Sequence, residues 1–121
     1  MSVWSWVGVA LLGGVGANAR FLLDSLVTAR AGGELPVGTL AVNASGSLLL
    51  GLVTGLALGG SGLVLVGTAT LGSYTTFSTW MLETQRLVED TRFRAGVLNV
   101  IVSLAVGIVA VAVGRTIGAQ L

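Results

Sequence analysis

Residues 36–58 read PVGTLAVNASGSLLLGLVTGLAL, an apolar run without a single charged side chain. A helix that crosses the hydrocarbon of a bilayer needs about 20 predominantly apolar residues. This stretch supplies them behind Pro36, whose missing N–H suits the first turn of a helix. Outward from it, the charged side chains cluster so as to leave further membrane-length gaps at about Val3 to Phe21, Leu63 to Leu82 and Ala95 to Ile117. The sequence therefore predicts an all-α membrane protein of four transmembrane helices, one domain over residues 1–121, with both termini on the same side. A connection from Asp24 to Leu35, an uncharged turn at Gly59–Gly62 and a charged stretch from Glu83 to Arg94 are expected to separate the spans.

Composition agrees with that reading. Only 9% of the 121 residues are charged and the mean hydropathy is +0.96, whereas a typical soluble domain is about 25% charged. The absence of cysteine removes disulfide frameworks and thiolate metal sites. The six cationic side chains are all arginine and leave a net charge of +1 with no basic tail, which argues against nucleic-acid binding. Ala17, Asn18 and Ala19 have the small-x-small look of a signal-peptidase site, but no Lys or Arg precedes the apolar segment, so it reads as a retained first span. Gly14, Gly16 and Ala19 also fit G-x-G-x-x-A, yet no strand pattern surrounds them, and small-residue helix packing is the better account.

The chemistry must come from polar groups inside apolar spans. Thr39, Asn43 and Ser47 stand at i, i+4 and i+8 and so share one helix face, with Gly46 beside them. Hydroxyls of this kind often only join helices. An asparagine amide, however, has two donors and two lone pairs to satisfy, and leaving them unpaired in hydrocarbon is expensive. Asn99, Ser103 and Gly107 repeat the spacing on the fourth span, where Asn99 serves either to cap structure near the surface or to line a pathway.

Gly72-Ser-Tyr-Thr-Thr-Phe-Ser-Thr-Trp80 concentrates hydroxyls and rings in the middle of the third span, so a broken third helix is expected there. Irregular backbone is tolerated at membrane depth only where protein or water surrounds it. Arg20 either snorkels to the surface or is buried and attracts anions. No Asp or Glu falls within an expected span, which disfavours proton-coupled transport.

Three motifs, GGVGANAR at Gly13–Arg20, GTLAVNASGSLLLG at Gly38–Gly51 and GSYTTFST at Gly72–Thr79, resemble the CrcB/Fluc fluoride channels in order and spacing. The resemblance implies an antiparallel dimer in the cell membrane that exports fluoride from the cytoplasm by passive conduction, without enzymatic chemistry. It places Asn43 at the pore asparagine and Phe77 at the first of two pore phenylalanines. It further implies a polar track of Ser78, Thr79 and Ser103, charged positions near the pore ends at Arg20 and Glu83, and a structural sodium ion held by backbone carbonyls of Gly72 and Thr75. The chain departs from the pattern at Trp80, which replaces the second pore phenylalanine, and at Asn99, where some relatives carry tyrosine.

Competing readings are a small multidrug-type transporter and a non-conducting accessory membrane subunit. The partner can be a second copy or a homologue. Arg30, Arg86, Arg92 and Arg94 fall on the face of the two longer connections, with Arg20 near it, and only Arg115 falls opposite. The positive-inside rule then holds those connections in the cytoplasm and favours a second, oppositely biased homologue over a copy of the same chain.

Overall fold

The computed structural model describes residues 2–32, 36–57 and 62–121, and every regular element among them is helical. The elements are α1 (Val3–Ala31), α2 (Val37–Gly55), α3 (Leu63–Leu71), α4 (Gly72–Tyr74), α5 (Ser78–Glu89) and α6 (Phe93–Gln120). Among the described residues, three helices, α1, α2 and α6, are long and apolar enough to cross a membrane on their own. The expected third span is divided among α3, α4 and α5, with the helix interrupted between Tyr74 and Ser78. The expected turn at Gly59–Gly62 lies outside the described residues except for Gly62.

Helix ends follow local chemistry rather than the edge of the apolar run. α1 continues ten residues past Phe21 because good helix formers follow and neither glycine nor proline interrupts them before Gly32. Gly32 then takes φ +57° and ψ 169°, a positive-φ conformation open to glycine that turns the chain out of the helix, with Arg30 in the last turn facing the negative end of the dipole. Pro36 sits one residue ahead of α2, and its carbonyl accepts the Leu40 N–H at 3.2 Å. Helix α5 runs through the charged stretch to Glu89. It closes with the Arg92 N–H on the Leu87 carbonyl (2.8 Å) and the Thr91 N–H on the Val88 carbonyl (3.1 Å), a Schellman pattern that places Thr91 at φ 61°.

α3 is wound as a π-helix, in which each N–H reaches back five residues. The Thr70 hydroxyl follows the same reach to the Leu65 carbonyl at 2.8 Å. Helical conformation stops after α4, where Thr75 is extended (φ −78°, ψ 159°), and resumes at Ser78.

The helices pack through glycine. A β-carbon on Gly51 would strike the carbonyl oxygen of Val111, and one on Gly55 that of Arg115. From the other side, Gly114 meets the Leu48 carbonyl and Gly118 the Leu52 carbonyl in the same way. Helices α2 and α6 therefore touch backbone to backbone over two turns, as small residues spaced by four allow in lipid. Gly38 fits α2 against Asp24 and Thr28 of α1, and Gly16 fits α1 against Thr70 and Ser73.

Little is buried inside one chain. Val42 is fully enclosed, with Val53, Ala69, Leu71 and Leu87 nearly so, while Trp4, Phe21 and Ile108 stand in the open. An outward apolar surface of this extent belongs against lipid or another subunit. Gly114→Val is expected to destabilise the protein by about 3 kcal/mol, because the added carbons enter a backbone contact that cannot relax. A lowered melting temperature in detergent checks this, and an unchanged one contradicts the packing.

Candidate functional site

Where the backbone leaves helical conformation, its N–H and C=O groups need new partners. Asn43 supplies both. Its side-chain nitrogen donates to the Thr76 carbonyl at 2.8 Å and its side-chain oxygen accepts the Thr76 N–H at 2.8 Å. One side chain on an unbroken helix thus replaces the two hydrogen bonds that Thr76 has given up. Beside it, the Tyr74 hydroxyl and Ser45 Oγ lie 2.8 Å apart, and Ser45 donates to the Val42 carbonyl at 3.1 Å. Gly46 leaves room for the Thr75 methyl group and the Tyr74 ring.

This clamp stands between two hollows. The larger, about 490 Å³, lies between α2, the interruption and α6 and is lined by Asn43, Ser47, Thr75, Thr76, Phe77, Trp80, Ser103 and Gly107 together with aliphatic side chains. The smaller, about 200 Å³, lies toward α1 and is lined by Arg20, Phe21, Asp24, Thr39, Val42, Thr76 and Thr79. Thr76 borders both. At the larger hollow, the Phe77 ring is exposed and meets the Trp80 indole edge to face, with centroids 5.7 Å apart and planes at 82°.

The structure brings some of the sequence-derived residues together and separates others. Asn43, Phe77, Trp80 and Ser103 share the larger hollow, while Thr79 and Arg20 share the smaller one. Ser78, at the start of α5, is exposed and borders neither. Asn99 is nearly fully buried and donates to the Thr84 hydroxyl at 2.9 Å. Gly72 opens α4 and Thr75 follows it. The Gly72 N–H reaches back to the Gly67 carbonyl, and both the Thr75 N–H and hydroxyl use the Leu71 carbonyl, at 3.0 and 3.1 Å.

Glu83 accepts a hydrogen bond from the buried Thr39 hydroxyl, so α5 holds a carboxylate against the first turns of α2. Thr84 escaped the sequence reading, and Tyr74 was read only as part of the Gly72–Trp80 stretch. The only trace of the first is its i, i+4 relation to Trp80, whose carbonyl it bonds at 2.9 Å.

Apolar helices around a recess that cuts into a broken segment and carries amide and hydroxyl groups define a small multi-pass membrane protein. Residues 7–115 match the family described as CrcB-like protein, Camphor Resistance (CrcB). A fluoride-specific ion channel FluC 2 of Mycolicibacterium paratuberculosis is 54% identical over 110 residues, which cover 91% of this chain and 90% of that protein. The FluC 2 channel of Mycobacterium tuberculosis is 47% identical over 117 residues (97% and 93%). The FluC 1 channel of Symbiobacterium thermophilum is 41% identical over 120 residues (94% and 97%). The chain belongs to the CrcB family.

Asn43→Ala is expected to destabilise the protein by about 3 kcal/mol, because it strands both the donor and the acceptor of Thr76. Thermal unfolding in detergent measures this; a variant as stable as the parent would show that the clamp contributes nothing.

Proposed function

We propose that this chain is a subunit of a fluoride channel that conducts passively, making and breaking no bond. The observation that carries the reading is the shared hollow in which the Asn43 amide, the Ser47 and Ser103 hydroxyls and the edge-to-face pair Phe77 and Trp80 converge. Fluoride is small and holds its water tightly, so a pore must replace that water with donors. Amide and hydroxyl groups donate, and the edge of an aromatic ring is the positive part of its quadrupole. The names borne by the relatives, fluoride-specific channels over nearly the whole length of the chain, point the same way.

The hollow is open on one side, and Phe77 is 69% exposed. A second subunit running antiparallel supplies the missing wall and turns each recess into a narrow path. The smaller hollow, with Arg20 drawing anions and Thr79 donating, forms the mouth on the α1 side. In this assembly the carbonyls of Gly72 and Thr75 hold a structural sodium ion. The donor chemistry suits it: the extended Thr75 interrupts helical pairing and frees backbone carbonyls there.

The distribution of arginine bears on the partner. Arg86 and Arg92 border the same cleft as Thr28, Ala31 and Pro36, at the end of the bundle where α1 finishes, whereas Arg115 packs beside Gly51 and Gly55 at the other end. That asymmetry fixes one orientation for this chain, and an oppositely oriented homologue completes the pair.

Liposomes holding the purified channel are expected to release fluoride and retain chloride, with Phe77→Ile lowering fluoride efflux at least tenfold in an intact assembly. Equal release of the two ions would overturn the proposal. A cysteine introduced near the C-terminus is expected to label from outside intact cells only. Equal labelling from both sides would identify the partner as a second copy of the same chain.

A further inference from the structure

Trp80 carries a hydrogen-bond donor that a phenylalanine lacks, and the structure turns this donor away from the larger hollow. The indole N–H points to the Asn99 backbone carbonyl on α6 at 3.3 Å. The Asn99 side chain in turn donates to Thr84 Oγ1 at 2.9 Å, and the Thr84 hydroxyl donates to the Trp80 carbonyl at 2.9 Å. The three residues close a loop of hydrogen bonds that ties both ends of Trp80, its ring and its backbone, to one point on α6. Asn99 is 5% exposed, so this tie lies in the packed seam between α5 and α6 rather than in the hollow. Hydrogen bonds in such a seam are stronger than in water, because no solvent competes for the groups.

We infer that Asn99 and Thr84 are positioning residues that lock the Trp80 indole with its N–H committed to α6, so that Trp80 borders the ion path with ring carbon and holds Phe77 in its edge-to-face attitude. The donor of the indole is then spent on the scaffold, and fluoride meets the ring as a wall with a fixed orientation. Without the tie, the indole can rotate, offer its N–H as a sticky donor to the ion and lose its perpendicular contact with the Phe77 ring. Both changes slow passage, one by holding the ion and the other by disordering the ring edge that faces it. The inference rests on the channel reading for its effect on flux, but the lock itself is a property of the folded chain.

The test uses protein with Trp4→Phe and Trp6→Phe, which leaves Trp80 as the only indole. Thr84→Val keeps the shape and removes the hydroxyl, whereas Thr84→Ser keeps the hydroxyl. In the assembled fraction, Thr84→Val and Asn99→Leu are expected to shift Trp80 emission to longer wavelength, to increase acrylamide quenching about twofold and to lower fluoride efflux severalfold. Thr84→Ser restores all three. Unchanged emission and quenching in Thr84→Val would overturn the lock, as would loss of the parent spectrum in Thr84→Ser. If the parent passes no fluoride while the spectra behave as described, the channel reading fails and the lock stands.

Discussion

Everything at the centre of this protein depends on the two hydrogen bonds between the Asn43 amide and the backbone of Thr76. A chain that leaves helical conformation at membrane depth exposes peptide groups that lipid cannot solvate. One primary amide answers with a donor and an acceptor in the plane of a single group, which matches the N–H and C=O of one residue. The clamp thereby permits the interruption, and the interruption brings Phe77 and Trp80 to the hollow that Asn43, Ser47 and Ser103 also border.

The clamp works only because α2 is itself immobile. Four glycines bring the backbones of α2 and α6 together, and Gly38 seats the start of α2 against α1. Asn43 is therefore presented from a helix held at both ends, while Trp80 and Asn99 tie α5 to the same partner helix, α6. The segment divided among α3, α4 and α5 is thus held between α2 and α6.

The sequence displayed much of this. An asparagine within an apolar run stood out because hydrocarbon penalises it. Helix ends were harder to read, since the edge of the apolar run marks where lipid stops and says nothing about where backbone pairing stops; α1 and α5 both continue beyond it. The resemblance implied one polar track through Ser78 and Thr79 of the third segment and Ser103 of α6; within the single chain Ser103 borders the larger hollow, Thr79 the smaller and Ser78 neither. Periodicity assigns faces only while the winding is regular, and a π-wound turn followed by an extended residue changes the register. Thr84 was silent because its meaning lies in Asn99, a residue on another helix.

The unequal lengths of the helices add a mechanical consequence. At 29 residues α1 extends about 43 Å, and at 19 residues α2 extends about 29 Å. A bilayer core of about 30 Å matches the second and is exceeded by the first. The excess length of α1 lies beyond Phe21, past the apolar run, and Gly38 fastens the start of α2 to it beside Asp24 and Thr28. A change in membrane thickness therefore acts on the two helices as a pair, and the α1-side hollow that Arg20, Asp24, Thr39 and Thr79 border lies at that junction.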